Sequence, residues 1–130
     1  MLTFQNVTKK FGRYTAIDRL NFDVPQRQAV ALWGENGAGK TTIIKCLLGL
    51  LRYEGRITVD GFDALRAGRS ARRLVGYVPQ ELACYDDMST LETARLFAQL
   101  KAAPACQAPR VISQVWLEEH ADKAVSALSG

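Results

Sequence analysis

The stretch Gly34–Thr41, GENGAGKT, constrains the fold of this chain more than any other feature. It fits the pattern GxxxxGK followed by Ser or Thr. The apolar run AVALW at 29–33 precedes it, as is typical of a strand covered on both faces in a parallel sheet. Apolar residues at helical spacing follow it, namely Ile43, Ile44, Leu47, Leu48 and Leu51. The sequence therefore predicts a strand, a glycine-rich loop and an amphipathic helix in direct succession.

A loop of this kind is suited to binding phosphate. Its glycines let the backbone curl so that several N–H groups point at one anion, and the positive end of the helix dipole adds to that field. Lys40 is expected to reach the β and γ phosphates of a nucleotide, and the Thr41 hydroxyl is expected to ligate Mg²⁺. The predicted phosphate-binding residues are Gly34, Asn36, Gly37, Ala38, Gly39, Lys40, Thr41 and Thr42.

The loop by itself leaves the chemistry open. A glycine-rich turn before a helix, with Lys40 solvated on the first helical turn, is the structural alternative to a binding site. Even as a binding site the loop names no reaction, because the same motif serves ATPases, GTPases and small-molecule kinases. Other motifs in the sequence are needed to decide between these functions.

Composition limits the class of protein without choosing a partner. The 130 residues suffice for one domain, and 48% hydrophobic with 23% charged residues is typical of a globular chain. Lys and Arg number 17 against 13 Asp and Glu, so the net charge of +4 fits an anionic ligand but is far from a nucleic-acid-binding tail. The three cysteines lack a CxxC spacing and His120 is the single histidine, which indicates neither a disulfide framework nor a zinc site. We expect buried or inert thiols.

The sequence carries no recognisable targeting segment. The first residues, MLTFQNVTKKFG, lack a long apolar core with a small-residue cleavage site. No stretch approaches the roughly 18 apolar residues that a membrane span needs. These observations favour a cytoplasmic location.

Periodicity predicts the remaining elements. Residues 2–7 and the alternating 20–24 indicate an antiparallel β layer at the start of the chain, and 56–59 and 74–78 read as further short strands. Ser89 and Glu92 form a capping box ahead of a helix at 91–100. Another helix is predicted to begin near Pro109, with an apolar stripe formed by Val111, Ile112, Val115 and Trp116.

Three further stretches give the chain a family resemblance. They are Val7–Gly12 (VTKKFG), Val75–Gln80 (VGYVPQ) and Leu128–Gly130 (LSG). Together with the phosphate loop, which is the Walker A motif, they make the chain similar to the nucleotide-binding domain of ATP-binding cassette (ABC) transporters. The resemblance runs from Leu2 to Gly130 in the order of elements of that family.

The resemblance assigns a role to each stretch. Val7–Gly12 resembles the A-loop, whose aromatic side chain stacks on adenine, and Phe11 is the matching position. Tyr14 is a possible substitute, and a plain hairpin-core role for Phe11 is the alternative. Val75–Gln80 resembles the Q-loop, which makes Gln80 the residue that senses Mg²⁺ and the γ phosphate. In the last stretch, Ser129 and Gly130 match the signature motif LSGGQ, which binds ATP held by the opposite subunit.

The resemblance also implies a fold. It is the α/β fold of P-loop NTPases in its ABC form, with an antiparallel β subdomain and a parallel core sheet covered by helices. Residues 1–130 would form a partial nucleotide-binding domain, incomplete at the C-terminus. The Walker B strand, the D-loop and the switch histidine of the H-loop follow the signature in the family and have no counterpart here. We expect the isolated chain to have open strand edges and marginal stability.

The implied activity is ATP binding with Mg²⁺ and, in the complete protein, ATP hydrolysis that powers transport. The resemblance implies that Lys40 and Gln80 are the catalytic residues of this chain and that Thr41 and Gln80 contact the metal. The implied partners are transmembrane domains and a second nucleotide-binding domain, without nucleic acid, at the inner face of the cell membrane. We expect the 130-residue chain alone to bind MgATP weakly or not at all, with negligible turnover. Subunits of exporters are the most similar subgroup.

Two alternatives stay open at this point. The chain could be a noncatalytic nucleotide-binding module that pairs with a full-length subunit. It could also belong to a soluble cassette protein acting in translation or DNA repair. The transported substrate is read by membrane domains, so the sequence does not give it.

Overall fold

The computed structural model describes residues 1–80, 85 and 87–128. The chain forms two compact units, Met1–Tyr77 and Val78–Gly130. The first unit contains β1 (Leu2–Phe11), β2 (Tyr14–Val24), α1 (Lys40–Leu47), β3 (Glu54–Val59), β4 (Phe62–Asp63) and α2 (Gly68–Arg73). The second contains α3 (Thr90–Leu100), α4 (Gln107–Gln114) and the 3₁₀ turns Glu118–His120 and Val125–Ala127.

The first unit is built on a four-stranded sheet with the order β2-β1-β3-β4. Every pair in it is antiparallel, which confirms the predicted antiparallel layer. Gly12, with φ of 57°, lies in the turn between β1 and β2, where a left-handed backbone favours glycine. Phe4 lies opposite Phe22, and their rings stack at 4.3 Å between centroids. This hairpin is the frame on which the rest of the unit packs.

Helix α1 closes the core over the sheet. It begins at Lys40, as predicted, and Ile43 and Leu47 of its apolar stripe are half-buried against the core. The predicted stripe extends past the helix, because α1 ends at Leu47 and Leu51 packs against the core from the segment that follows. The fully or nearly buried core residues are Phe4, Val7, Ile17, Cys46, Ile57 and Ala64. Burying a large apolar side chain of this kind stabilises a fold by roughly 1.5–3 kcal/mol relative to leaving it exposed. The core therefore fixes α1, and with it the loop that precedes the helix.

Two of the predicted strands, the parallel strand at 29–33 and the short strand at 74–78, do not form. Both segments are irregular, and Trp33 is 99% exposed, Val30 51% and Val78 79%. A strand requires a hydrogen-bonded neighbour, and within the described ranges neither segment pairs with one. The prediction was wrong because an apolar run shows only that burial would be favourable, whereas a strand also needs a partner strand.

The region after β4 contains a helix that the sequence pattern did not indicate. The Asp63 carboxylate accepts hydrogen bonds from the backbone N–H groups of Leu65, at 3.0 Å, and Arg66, at 2.9 Å, and pairs with Arg56 at 3.3 Å. The turn leads into α2, where an Arg72 guanidinium nitrogen lies 3.5 Å from the Leu48 carbonyl oxygen at the C-terminus of α1. A cation at that end interacts favourably with the helix dipole.

The second unit is helical. The Ser89 side chain accepts from the Glu92 N–H, and the Glu92 carboxylate accepts from the Ser89 N–H, so the predicted capping box is present at the start of α3. Helix α4 begins at Gln107, close to the predicted position. Its buried residues are Ala108 and Ile112.

The predicted apolar stripe of α4 is wrong in part. Val111 is 49% exposed, Val115 50% and Trp116 87%. Helix α4 ends at Gln114, and Trp116 has a positive φ of 55°, so the last two residues of the predicted stripe do not lie on a helix.

Candidate nucleotide-binding site

The phosphate loop curls as the glycine pattern predicts. Gly34, Gly37 and Gly39 have φ of 154°, 90° and 88°, in the region that side-chain-bearing residues rarely adopt. Residues 34–38 are exposed to solvent, and the loop ends at Gly39, the N-terminal cap of α1. No acidic residue lies in the first turn of α1, so its N–H groups face no competing negative charge there.

The Lys40 side chain folds back over the phosphate loop. Its ammonium donates hydrogen bonds to the carbonyl oxygens of Gly34, at 2.6 Å, and Glu35, at 2.7 Å. The lysine is therefore held over the loop and is not a freely solvated side chain on the first turn. An anion bound in the loop would meet this charge together with the N-terminal N–H groups of α1.

The loop rests directly on strand β2. A Cβ atom added at Gly39 would lie 2.7 Å from the carbonyl oxygen of Ala16 and 3.9 Å from Ile17 Cγ1. Only glycine allows this approach. The contact that places the loop against the hairpin was not predicted, because the sequence pattern shows that glycine is required but not which backbone comes near.

Phe11 lies at the end of β1, opposite Tyr14 of β2. Phe11 is 46% exposed and Tyr14 60%, so neither is a hairpin-core residue. The exposed ring of Phe11 offers a stacking surface of the kind that aromatic side chains give to nucleobases. The exposure contradicts the hairpin-core alternative, and the A-loop role of Phe11 stays a prediction.

Strand register connects this ring to the phosphate loop. Ile17, which lies beside Gly39, is opposite Lys9 in the β1–β2 pair. Phe11 follows Lys9 by two residues, which is about 7 Å along an extended strand. The first unit therefore brings the candidate adenine platform and the candidate phosphate site to the same end of the hairpin.

Lys9 is a residue of this region that the sequence pattern did not single out. Its ammonium lies 4.7 Å from the centroid of the Phe11 ring. Burial raises the pKa of the Cys46 thiol on α1, and the positive charge of Lys9 opposes that effect. In the sequence, this contact could have been inferred from the spacing of two residues, which puts Lys9 and Phe11 on the same face of a strand.

The outcome differs among the remaining predicted site residues. Gln80 belongs to the Val78–Gly130 unit and is exposed in an irregular segment after Pro79. Ser129 and Gly130 lie outside the described residues. Thr41 is exposed in the first turn of α1, as a magnesium ligand requires, and Thr42 is half-buried. Within the first unit, Phe11 and residues 34–42 thus lie toward the same end of the β1–β2 hairpin.

Of the three cysteines, Cys46 is buried and Cys106 is exposed, whereas Cys84 lies outside the described residues. The expectation of buried or inert thiols is met by burial at Cys46, whereas for Cys106 inertness stays a prediction. In the described part of the chain, no cluster of His, Cys, Asp and Glu could hold a metal ion. No described helix combines the length and apolar character needed to cross a membrane.

The sequence pattern of the ABC transporter family matches residues 17–130. The chain belongs to the ABC transporter family. Over 135 aligned residues it is 36% identical to the uncharacterized ABC transporter ATP-binding protein YhaQ of Bacillus subtilis. It is 34% identical over 131 residues to the Fe(3+) ions import ATP-binding protein FbpC of Escherichia coli. These alignments cover 99% and 97% of this chain, and 44% and 37% of the two relatives.

Solved structures of ABC ATP-binding subunits superpose on this chain. An ATP-binding subunit of an ABC transporter superposes with a TM-score of 0.88 at 25% identity, over 98% of this chain and 55% of its own. A dimeric post-hydrolysis state of the ATP-binding cassette MJ0796, bound to ADP and Pi, gives 0.82 at 22% identity, over 99% and 63%. The ABC chain spans less than half the length of the curated relatives named above.

Proposed function

We propose that this ABC chain binds MgATP and that the complete protein hydrolyses ATP to power transport across a membrane. The observation that carries the proposal is the joint placement of Phe11 and the Gly34–Thr41 loop at one end of the β1–β2 hairpin. A nucleotide-binding site combines a surface that stacks on the base with a loop that binds the phosphates. A glycine-rich turn without a binding function would require neither feature.

The residues of the proposed site are suited to a nucleoside triphosphate. Lys40 already lies over the loop carbonyls at hydrogen-bond distance, so a small rotation of its side chain would bring the ammonium to a phosphate. The loop glycines keep Cβ atoms out of the cradle, and the N-terminus of α1 supplies N–H donors. Mg²⁺, held by the Thr41 hydroxyl and by Gln80, would neutralise charge on the phosphates.

Hydrolysis by such a site depends on positioning and charge. Lys40 would stabilise the charge that develops on the γ phosphate, and the neutral amide of Gln80 would orient the metal or the attacking water without removing charge. The partners we propose are transmembrane domains and a second nucleotide-binding domain, whose site Ser129 and Gly130 would complete, with the assembly at the inner face of the membrane. Relatives named for import and for export both match the chain, and we propose no substrate or direction.

The test is phosphate release by the protein expressed from its complete reading frame. Lys40→Ala should abolish MgATP-dependent turnover, and Gln80→Ala should lower kcat more than it raises KM. The matched control is Lys45→Ala, which removes the same charge from an exposed position on the same helix and should leave turnover within about twofold, since exposed charges contribute little. Turnover by Lys40→Ala equal to that of the unmodified protein would refute the proposal.

A further inference from the structure

Lys9 occupies a defined position beside the candidate adenine platform. Its ammonium lies 4.7 Å from the centre of the Phe11 ring, within the range of a cation–π contact. The aromatic face is negative and attracts the cation. Lys9 therefore lies over one face of the ring that the proposed function assigns to adenine.

The position of Lys9 is set by the hairpin. Lys9 is half-buried and lies opposite Ile17, a buried residue that lies beside Gly39 of the phosphate loop. Since the backbone of Lys9 is held by the strand pairing and its side chain is half-buried, the ammonium has fewer positions away from the ring and loses less freedom when a ligand arrives.

We propose that Lys9 is a positioning residue for the adenine base: it holds one face of Phe11 through a cation–π contact and leaves the opposite face for adenine. The proposal rests on the proposed function, because it needs MgATP to bind at this site. A cation on one face draws π electrons toward itself, and the other face then stacks more favourably on an electron-rich base. Lys9 would thereby act on the base through Phe11 and not on the phosphates.

The test compares two ligands that differ by the nucleoside. The probes are MgATP and magnesium tripolyphosphate, titrated calorimetrically into the protein from its complete reading frame. Lys9→Gln should weaken MgATP binding about two- to fivefold, the range of an exposed cation–π contact. It should leave the affinity for tripolyphosphate equal to that of Lys10→Gln, the matched control with the same charge change one residue along β1. Lys9→Arg keeps the cation and should retain the affinity for MgATP.

The outcomes separate the two proposals. If the unmodified protein binds neither probe, the proposed function fails. If it binds both, then equal MgATP affinity in Lys9→Gln and Lys10→Gln overturns the role of Lys9. Tighter MgATP binding by Lys9→Gln also overturns it, because Lys9 would then compete with adenine for the ring. A parallel loss of tripolyphosphate binding overturns it as well, since the effect would then be one of general charge. Lys9→Ala is an additional neutral variant and gives the same comparison if Lys9→Gln does not fold.

Discussion

Gly39→Ala should destabilise the protein more than Gly37→Ala does, although both substitutions are in the phosphate loop. The two glycines have nearly the same backbone, with φ of 88° and 90°. An added Cβ at Gly37 meets nothing within 4 Å, whereas at Gly39 it would lie 2.7 Å from the Ala16 carbonyl oxygen. The pair thus separates the effect of the strained φ from the effect of the contact with β2.

The magnitude follows from these two terms. A left-handed backbone costs a residue with a side chain about 1–2 kcal/mol, and both variants carry this cost. Gly39→Ala adds a clash with backbone that must shift, and overpacking of this kind costs about 1–3 kcal/mol. The expected difference in the free energy of unfolding between the variants is therefore about 2 kcal/mol.

Urea unfolding without nucleotide measures the difference. With a slope of about 2 kcal/mol per molar urea, the midpoint of Gly39→Ala should lie about 1 M below that of Gly37→Ala. Both midpoints should lie below that of the unmodified protein. Coincident midpoints for the two variants would refute the close approach of the loop to β2, on which the placement of the site depends.

Two further predictions concern stability away from the loop. Ser89→Ala should cost about 1 kcal/mol and speed amide hydrogen exchange in the first turn of α3, because the capping box is lost. Ser89→Thr keeps the hydroxyl and should restore slow exchange, and exchange that is equal in all three proteins would contradict the role of the cap. The carboxyl pKa of Asp63 is lowered, first by the backbone hydrogen bond from Arg66. Burial opposes this effect, and the hydrogen bond from Leu65 and the charges of Arg56 and Arg66 add to it. The stabilisation by Asp63 is therefore present above the unfolded-state pKa of about 3.9 and is lost as the pH falls through the folded-state pKa. The unmodified protein should exceed Asp63→Asn in stability at pH 7, by about 1 kcal/mol, and lose that advantage in acid. A difference that does not change with pH in urea unfolding would contradict the assignment.

The local parts of the structure could be predicted from the sequence. Helix α1 begins at the predicted residue because glycine, lysine and the apolar spacing all specify the same boundary. The capping box at Ser89 is likewise a signal between residues three apart. The exposure of Phe11 at the end of β1 agrees with the role that the resemblance gave it.

The parts that could not be predicted depend on contacts between distant segments. The run at 29–33 has the composition of a buried strand, yet its state depends on a partner strand that its own sequence does not encode. The approach of Gly39 to Ala16 depends on how the phosphate loop packs against β2, whose register with β1 includes irregularities between Val7 and Lys10. Register of this kind follows from packing, and periodicity does not give it.

The most direct test of the central claim is a crystal structure of the protein with Mg²⁺ and a nonhydrolysable ATP analogue. We expect the adenine to stack on Phe11 and the phosphates to lie in the Gly34–Thr41 loop. We also expect the Lys40 ammonium to contact a phosphate oxygen instead of the carbonyl oxygens of Gly34 and Glu35, which it contacts at 2.6 and 2.7 Å in the free protein. A nucleotide bound at another surface, with Lys40 still bonded to the loop carbonyls, would show that the Gly34–Thr41 loop is not the nucleotide site.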